Sequence, residues 1–558
     1  MKDTYPQLDT LPANHLVVDS LQPEYSKTPL PDWVAECNVG HALSDAQVAL
    51  GRGDLIAALQ GDSDAALTFA ELAEQSTALA RALVKMGIKP GDRVAYQSPN
   101  AVELIVVMLA IWKAGGIVVP IPTYADTSCI YFFIADTGAR FVFLNKKVET
   151  LDVWQDISDD TKLDGVVHFG ATNGNIAGLE ESGFLTGAEG EAMPEVSPDQ
   201  PAIIWHTGGT TGQPKSCYHT HRRFLLGGLS FGKTAKIEPG LRVAVMSPMG
   251  HALGLIHNTI FCMLHGATPV LLEQFSDANV VLNAIETHRI NMMTGLMASW
   301  GKLAAHIKEN APEADTSSLK TCFAMWQSAS SAEVFDFWRD RGVELLNNFG
   351  STSFATWVLI PPVSSQVPRS ALGMAAEDFQ IEAVELRDGK VHPLPKGEIG
   401  VLAVKGPTGL TYWNRHDLQE RDVQGGWTLA DDLIRFDEDG FVHYLGRSDY
   451  LISTGGFKVA PGEVETVLSR HDLVQEVAVV PAPCAKMLQK VVAYVAVSKG
   501  AAGSKGLKRE LVERAKSELS YYKVPREIVF VDALPRDALG KIQTKIVQSW
   551  ASEAFALT

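Results

Sequence analysis

From residue 67 the apolar positions change period in a repeating way. Phe69-Ala70-Glu71-Leu72-Ala73 opens a run with helical spacing that predicts a helix to Met86; the turn Lys89-Pro90-Gly91-Asp92 follows, and Arg93-Val94-Ala95-Tyr96 predicts a strand. A second apolar helix over 102–112 leads to a strand at Ile117-Val118-Val119-Pro120. Similar strands recur at 243–246, 268–272 and 291–294. Such alternation of helix and buried strand indicates an α/β fold with largely parallel strands. Between about 380 and 444 the pattern shifts to short strands and turns, as in Glu398-Ile399-Gly400-Val401-Leu402-Ala403-Val404, and predicts a β-rich subdomain. After Gly446 a helix over 461–469, strands near 477–480 and 491–497, and an amphipathic helix over 507–519 read as a small α+β domain. The expected division is therefore a large N-terminal domain of α/β layers over 1–446 and a small C-terminal domain over 447–558, with 180–199 as an acidic surface connection.

The most membrane-like stretch is 104–121. Lys113, Gly115-Gly116 and Pro120 interrupt it, so it reads as a buried helix entering a buried strand rather than a span. The opening Met1-Lys2-Asp3-Thr4-Tyr5-Pro6 leads into no apolar core of the kind a cleaved signal has. A chain of 558 residues is expected to be multi-lobed, and 46% hydrophobic with 20% charged residues is a globular composition. The net charge of −17 would repel a nucleic-acid backbone, and no basic cluster offsets it. Cys37, Cys129, Cys217, Cys262, Cys322 and Cys484 form no CxxC pair or zinc spacing, which fits a reducing, cytoplasmic setting.

The richest local signal is Thr207-Gly208-Gly209-Thr210-Thr211-Gly212-Gln213-Pro214-Lys215-Ser216, after the apolar Ala202-Ile203-Ile204-Trp205. Glycines let backbone N–H groups converge on an anion, and threonine hydroxyls and a lysine add donors and charge. The segment departs from the Walker pattern, which disfavours an ordinary P-loop nucleotidase. A flexible surface loop would carry the same residues.

Four further segments follow in order: Ser247-Pro248-Met249-Gly250-His251-Ala252-Leu253-Gly254; Asn347-Asn348-Phe349-Gly350-Ser351-Thr352; Asp431-Asp432-Leu433 with Gly446-Arg447-Ser448-Asp449; and Pro535-Arg536-Asp537-Ala538-Leu539-Gly540-Lys541-Ile542. Together with Gly455-Gly456-Phe457-Lys458-Val459-Ala460-Pro461-Gly462-Glu463-Val464-Glu465, they resemble the adenylate-forming superfamily of acyl-CoA synthetases, non-ribosomal adenylation domains and firefly luciferase. The resemblance runs over residues 67–541 and is nearest in character to acyl- or aryl-CoA ligases. It implies a small C-terminal domain that moves about a hinge near Asp449. It also implies a two-step reaction in which a carboxylate attacks the α-phosphorus of ATP and a nucleophile, most often the thiol of coenzyme A, then displaces AMP. Mg²⁺ is the implied metal and a small carboxylic acid the implied partner; a homodimer is left open.

Residue by residue, the resemblance makes Thr207, Gly208, Gly209, Thr210, Thr211, Gly212 and Lys215 the loop that holds the β- and γ-phosphates. Phe349 becomes the aromatic against adenine, on a wall shared with Asn348, Gly350, Ser351 and Thr352. Asp432 becomes the acceptor of the ribose hydroxyls, and Arg447 a donor to the same sugar. Lys541 becomes the catalytic lysine that reaches the reacting carboxylate. His251 would border the acyl pocket, with Trp326 and Phe354 as lining groups. Other readings stay open at single positions: Phe349 and Phe354 as core packing, Asp432 as a solvated turn acid, His251 as a hydrogen-bonded structural histidine. His206, His219 and His221 crowd together without a familiar metal-ligand spacing.

The chain also departs from the family pattern. Ser353 stands where the family has a Mg²⁺-binding Glu, and a hydroxyl is a poor ligand for a hard dication. Ala430-Asp431 replaces Thr-Gly, Gly208 a serine, Ser216 a glycine, and Gln327-Ser328-Ala329-Ser330 the usual Gly-Gly-Ala-Pro. The leading expectation is an ATP-dependent acid–CoA ligase. An adenylating enzyme that serves another nucleophile (an amine, a carrier-protein thiol or an inorganic one) is the alternative, and a nucleotide- or acid-binding sensor is a third.

Overall fold

The structure is a computed structural model that describes residues 29–35, 37–148, 153–154, 156–157, 163–170, 184–207, 215–325, 332–361, 367–368, 371–455, 457–484, 486–498, 502–536 and 542–555. Its two central sheets realise the predicted alternation. One has the strand order Gly165–Phe169, Phe141–Asn145, Arg93–Gln97, Ile117–Ile121, Pro201–Thr207, Lys215–Thr220 and is parallel except for the last pair. The other runs Glu344–Leu346, Thr321–Met325, Met292–Leu296, Arg242–Val245, Thr268–Leu271, Ile56–Gln60, Ala66–Thr68, again with only the last pair antiparallel.

Local sequence explains how the helices between the strands begin and end. Phe69–Met86 starts on a capping box, in which Thr68 accepts from the Glu71 N–H while Glu71 reaches back to the Thr68 N–H, and stops at Gly87, whose φ of 102° suits glycine. Val102–Lys113 is buried on every side, as its largely apolar sequence requires, and touches strands of both sheets. Lys113, within it, is fully buried and pairs with Asp45 at 2.7 Å, so its charge is compensated. The membrane-like stretch is thus interior helix and strand, and no helix among the described residues is long and apolar enough to cross a membrane.

The β-rich region is larger than the sequence pattern predicts. It begins at Phe349–Ser351 rather than near 380, and continues through Thr356–Ile360, Ala371–Ala375, Val442–Arg447, Trp427–Phe436, Gly400–Lys405, Gln380–Arg387 and Lys390–Pro393 as one sheet. The first strands are three to five residues long, too short to display a clear period.

The C-terminal sheet joins Phe457–Val459, Ile452–Thr454, Leu488–Val497 and Val474–Cys484, and Glu527–Val531 runs parallel to Leu488–Val497. Helices Pro461–Leu468 and Lys505–Glu518 cover one face and Thr544–Ala554 the other. Pro461–Leu468 also seats on the large body: a Cβ at Gly462 would stand 2.7 Å from the Leu445 carbonyl carbon, so glycine permits the approach. All six cysteines are free thiols.

Candidate active site

Strand Pro201–Thr207 turns back into Lys215–Thr220 with Thr207 opposite Lys215, so residues 208–214 are the connection of a hairpin. Gly208, Gly209, Thr210, Thr211 and Gly212 lie outside the described residues, as does the Thr207 side chain. The base of the hairpin is firmly held. Ser216, buried next to Lys215, donates its hydroxyl to Asp136, and Asp136 accepts from Arg415 Nη2 at 2.5 Å. Trp413 donates its indole N–H to the Asp136 carbonyl at 3.2 Å and its backbone N–H to the Ser216 carbonyl at 2.9 Å. The serine that replaces a glycine therefore has a partner built for it, and segment 411–413 covers the sheet edge that Lys215–Thr220 would otherwise expose.

Phe349–Ser351 forms the second element. Phe349 is buried, and its ring lies 6.2 Å from that of Tyr444. A Cβ at Gly350 would fall 2.3 Å from the Thr356 carbonyl oxygen, so this strand tolerates only glycine there. Asn348 is buried and neither atom of its amide has a hydrogen-bond partner. His219 Nε2 lies 2.9 Å from the Thr352 carbonyl, so that nitrogen carries the proton. Burial pushes the His219 pKa down to about 3, and the neighbouring Arg223 adds to this, so the ring stays neutral. Ser351 is exposed and Ser353 half-buried.

The third element is the strand pair Trp427–Phe436 and Val442–Arg447, where Asp432 stands opposite Arg447. Asp432 is 9% exposed, enough to meet a ligand from an otherwise buried position. Tyr444 hydrogen-bonds its carboxylate; burial first and that negative charge second hold the Tyr444 hydroxyl well above its ordinary pKa. Arg447 Nη2 donates to Asp431 Oδ2 at 2.9 Å. Asp431, noted from sequence only as a departure, is thus a partner of Arg447. Tyr444 joins the two groups, touching Phe349 with its ring and Asp432 with its hydroxyl.

His251 is half-buried and sits where a tight turn enters the widened, π-type helix Leu253–Ile260. Its Nδ1 accepts from the Leu253 N–H at 3.3 Å, which leaves Nε2 to carry the proton. Asn100 clamps the turn, donating to the Ser247 carbonyl at 3.0 Å and accepting from the Met249 N–H at 2.7 Å; Tyr96 donates to the Met249 carbonyl at 2.6 Å. Phe354 has 0% exposure and belongs to the main core, the packing role that sequence left open beside pocket lining.

Trp326 and Lys541 lie outside the described residues, as does the Asp449 side chain; its backbone belongs to the short turn Ser448–Tyr450. An antiparallel bridge between Arg536 and Ile542 closes the base of the segment that carries Lys541. The crowded histidines take separate duties: His221 Nδ1 accepts from the Val39 N–H at 3.2 Å, and His206 packs on Phe133 at 3.8 Å between ring centres. Among the described residues no three His, Cys, Asp or Glu side chains gather as a metal site. With Ser353 in the place of a carboxylate, these protein atoms alone do not fit a Mg²⁺ centre.

Residues 46–413 match the AMP-binding enzyme family, and residues 463–541 match the AMP-binding enzyme C-terminal domain. The chain belongs to the AMP-binding enzyme family. A feruloyl-CoA synthase of Amycolatopsis is 28% identical over 86% of this chain and 92% of its own length. The crystal structure of an anthranilate CoA ligase in complex with anthranoyl-AMP has the same fold, with a TM-score of 0.81, 24% identity and coverage of 94% of this chain and 98% of that one. The amide bond synthetase of Marinactinospora thermotolerans matches with a TM-score of 0.78 and 25% identity over 92% of this chain and 99% of that one. Membership gives the resemblance in the motifs its basis, and places the AMP-binding match across both central sheets. Sequence reasoning missed the roles of Tyr444, His219, Asn100 and the Asp136–Arg415 pair; Tyr444 adjoins the Gly446-Arg447 segment, whereas His219 meets Thr352, Asn100 the Ser247–Met249 turn and Asp136 Ser216 only across long stretches of chain.

Proposed function

We propose that the chain is an AMP-forming carboxylic acid–CoA ligase that acts on an acyl or aryl carboxylate. The observation that carries this reading is the Asp432–Tyr444–Phe349 contact, with Arg447 opposite, which brings an acceptor, an aromatic wall and a cation together on one sheet. The acid's carboxylate attacks the α-phosphorus of ATP, pyrophosphate leaves, and the thiol of coenzyme A displaces AMP from the acyl-adenylate. Attack of one anion on another needs fixed geometry and positive charge. In this reading the 207–215 hairpin supplies both to the β- and γ-phosphates. Phe349 and Asn348 take the adenine, Asp432 accepts from the ribose, and Lys541 neutralises the reacting oxygens. Mg²⁺ enters as part of the MgATP substrate. The second domain, from 447 onward, turns about Asp449 to bring Lys541 in. The six free thiols favour a cytoplasmic setting.

Carboxylate-dependent ATP–pyrophosphate exchange over a broad acid panel tests the first half-reaction, and acyl-CoA in the products tests the second. Lys541→Ala should abolish exchange while ATP still binds; full exchange in that variant would refute the lysine's role. The fold match to an amide bond synthetase supports one rival, transfer to an amine. Acyl-adenylate or amide in place of thioester would select it, and absence of exchange with every acid would select a binding-only sensor.

A further inference from the structure

Strand Trp427–Phe436 is irregular where it carries its two adjacent acids. Against Gly400–Lys405 it pairs Leu433 with Val401 and Leu429 with Ala403, so that between these pairs Ala430, Asp431 and Asp432 stand against Leu402 alone. Such a bulge re-aims side chains, and bulges gather beside active sites. The other neighbour, Val442–Arg447, is irregular too: Leu433 pairs with Gly446 and Ile434 with Tyr444, which leaves Leu445 out of register. In a regular ladder successive residues point to opposite faces, so one cross-strand arginine would meet only one of two adjacent acids. Here Arg447 stands opposite Asp432, yet its Nη2 donates to Asp431 Oδ2 at 2.9 Å. The pair is partly open to solvent, 28% for the Arg447 side chain and 37% for that of Asp431. A second cation lies near. Asp422 first and Asp431 after it hold the Arg421 guanidinium above its ordinary pKa, and Arg421 donates to both oxygens of Asp422, at 2.5 and 2.7 Å.

We propose that Asp431 is a positioning residue for the nucleotide: from the strand bulge it holds the Arg447 guanidinium in the orientation that meets the ribose. The inference rests on the reading that Asp432 and Arg447 face the nucleotide, and deepens it. A long, partly exposed arginine gives up rotamer freedom when it takes a ligand, and a fixed partner removes that freedom beforehand. The guanidinium is a rigid fork of N–H donors, so a carboxylate at one end orients the rest. Asp422 already occupies Arg421, which leaves Asp431 to Arg447. A partly exposed ion pair contributes little to stability, so this one acts on the affinity for the nucleotide. The glycine of the family pattern at this position has no side chain to do so.

The test measures AMP binding by calorimetry, and the KM for ATP in pyrophosphate exchange with the best acid of the panel. It uses the full chain and the variants Asp431→Ala, Asp431→Asn, Arg447→Met and the double variant Asp431→Ala/Arg447→Met. Asp431→Ala should raise the Kd for AMP and the KM for ATP together by about 3- to 10-fold, the scale of one side chain that must be ordered on binding. The KM for the acid should hold, and the thermal midpoint of the unliganded chain should move by less than about 2 °C. Asp431→Asn keeps an acceptor oxygen and should recover part of the loss. In the Arg447→Met background Asp431→Ala should change nothing further, because Asp431 acts through Arg447. Unaltered affinity in Asp431→Ala, tighter binding in either Asp431 variant, or an equal loss without Arg447 would overturn the assignment; the last result would give Asp431 to Arg421 or to the strand. A wild type that binds no AMP and exchanges with no acid is a separate outcome; it would remove the ligase reading and this inference with it.

Discussion

Asp136→Asn is a sharp test of how the base of the 207–215 hairpin is held. Asp136 lies in the last turn of helix Thr127–Thr137, where the helix dipole disfavours an anion, so its carboxylate needs partners. It has two, the Ser216 hydroxyl and the Arg415 guanidinium, and its own side chain is 7% exposed against 33% for Arg415. A hydrogen bond to a charged group contributes about 1.5–3 kcal/mol. Partial exposure of Arg415 screens that pair to about 1 kcal/mol. Loss of charge in the bond to buried Ser216 adds about 1 kcal/mol more, for a total of about 2 kcal/mol. Urea unfolding reads this as a lowered midpoint. Since Ser216 adjoins Lys215, the KM for ATP should rise about 3- to 10-fold, a cost of the order of one lost positioning contact, with little change in kcat. The Asp136→Asn/Arg415→Ala double variant should fall short of the sum of the single losses by about 1 kcal/mol. A destabilisation under about 0.5 kcal/mol together with an unchanged KM for ATP would refute the claim that this pair positions the hairpin.

Asp432→Asn should weaken AMP binding by about 10- to 100-fold in calorimetry, through loss of a charged acceptor; unchanged affinity would discard its ribose role. His219→Leu leaves the Thr352 carbonyl without its donor and should cost about 1–3 kcal/mol in urea unfolding, and an unaltered midpoint would count against the tether. Burial raises Glu465 to about 7, opposed by the bond from the Val479 N–H. The native state therefore holds this proton more tightly than the unfolded chain, and the resulting stability is complete below the ordinary carboxyl pKa and lost as pH climbs through about 7. Glu465→Gln should flatten that decline between about pH 5 and 8, and a slope that persists would show that another group causes it.

Elements with strong periods were legible in sequence. The helix from Phe69 to Met86 ends where the pattern predicts because its capping box and Gly87 are local signals, and helix Val102–Lys113 extends one residue past the prediction. Strands Phe349–Ser351, Ile452–Thr454, Phe457–Val459 and Glu527–Val531, and helix Thr544–Ala554, went unpredicted. Three of these strands have only three residues each, too few to display alternation, and they exist because neighbouring strands supply their hydrogen bonds.

The site divides along the same line. Residues that would face a nucleotide stand in short motifs, and sequence names them: Asn348, Phe349, Asp432, Arg447. The groups that hold them come from elsewhere in the chain. His219 reaches Thr352 across 133 residues and Arg415 reaches Asp136 across 279, so no local pattern encodes either pair. Two of the departures from the family pattern, Ser216 and Asp431, belong to this second class. Ser216 in place of glycine puts a hydroxyl into a buried strand, where it would destabilise the hairpin if unpaired, and the Asp136–Arg415 pair accounts for its presence. Asp431 in place of glycine puts a carboxylate beside Asp432, where like charges would repel, and Arg447 offsets it. Both substitutions place a polar side chain where a partner from elsewhere in the chain or the neighbouring strand meets it. Ser353 is of the other kind, since it changes a group expected to face the metal, and no three His, Cys, Asp or Glu side chains among the described residues gather in its stead. The consequence of that replacement should therefore appear in the Mg²⁺ dependence of exchange rather than in stability.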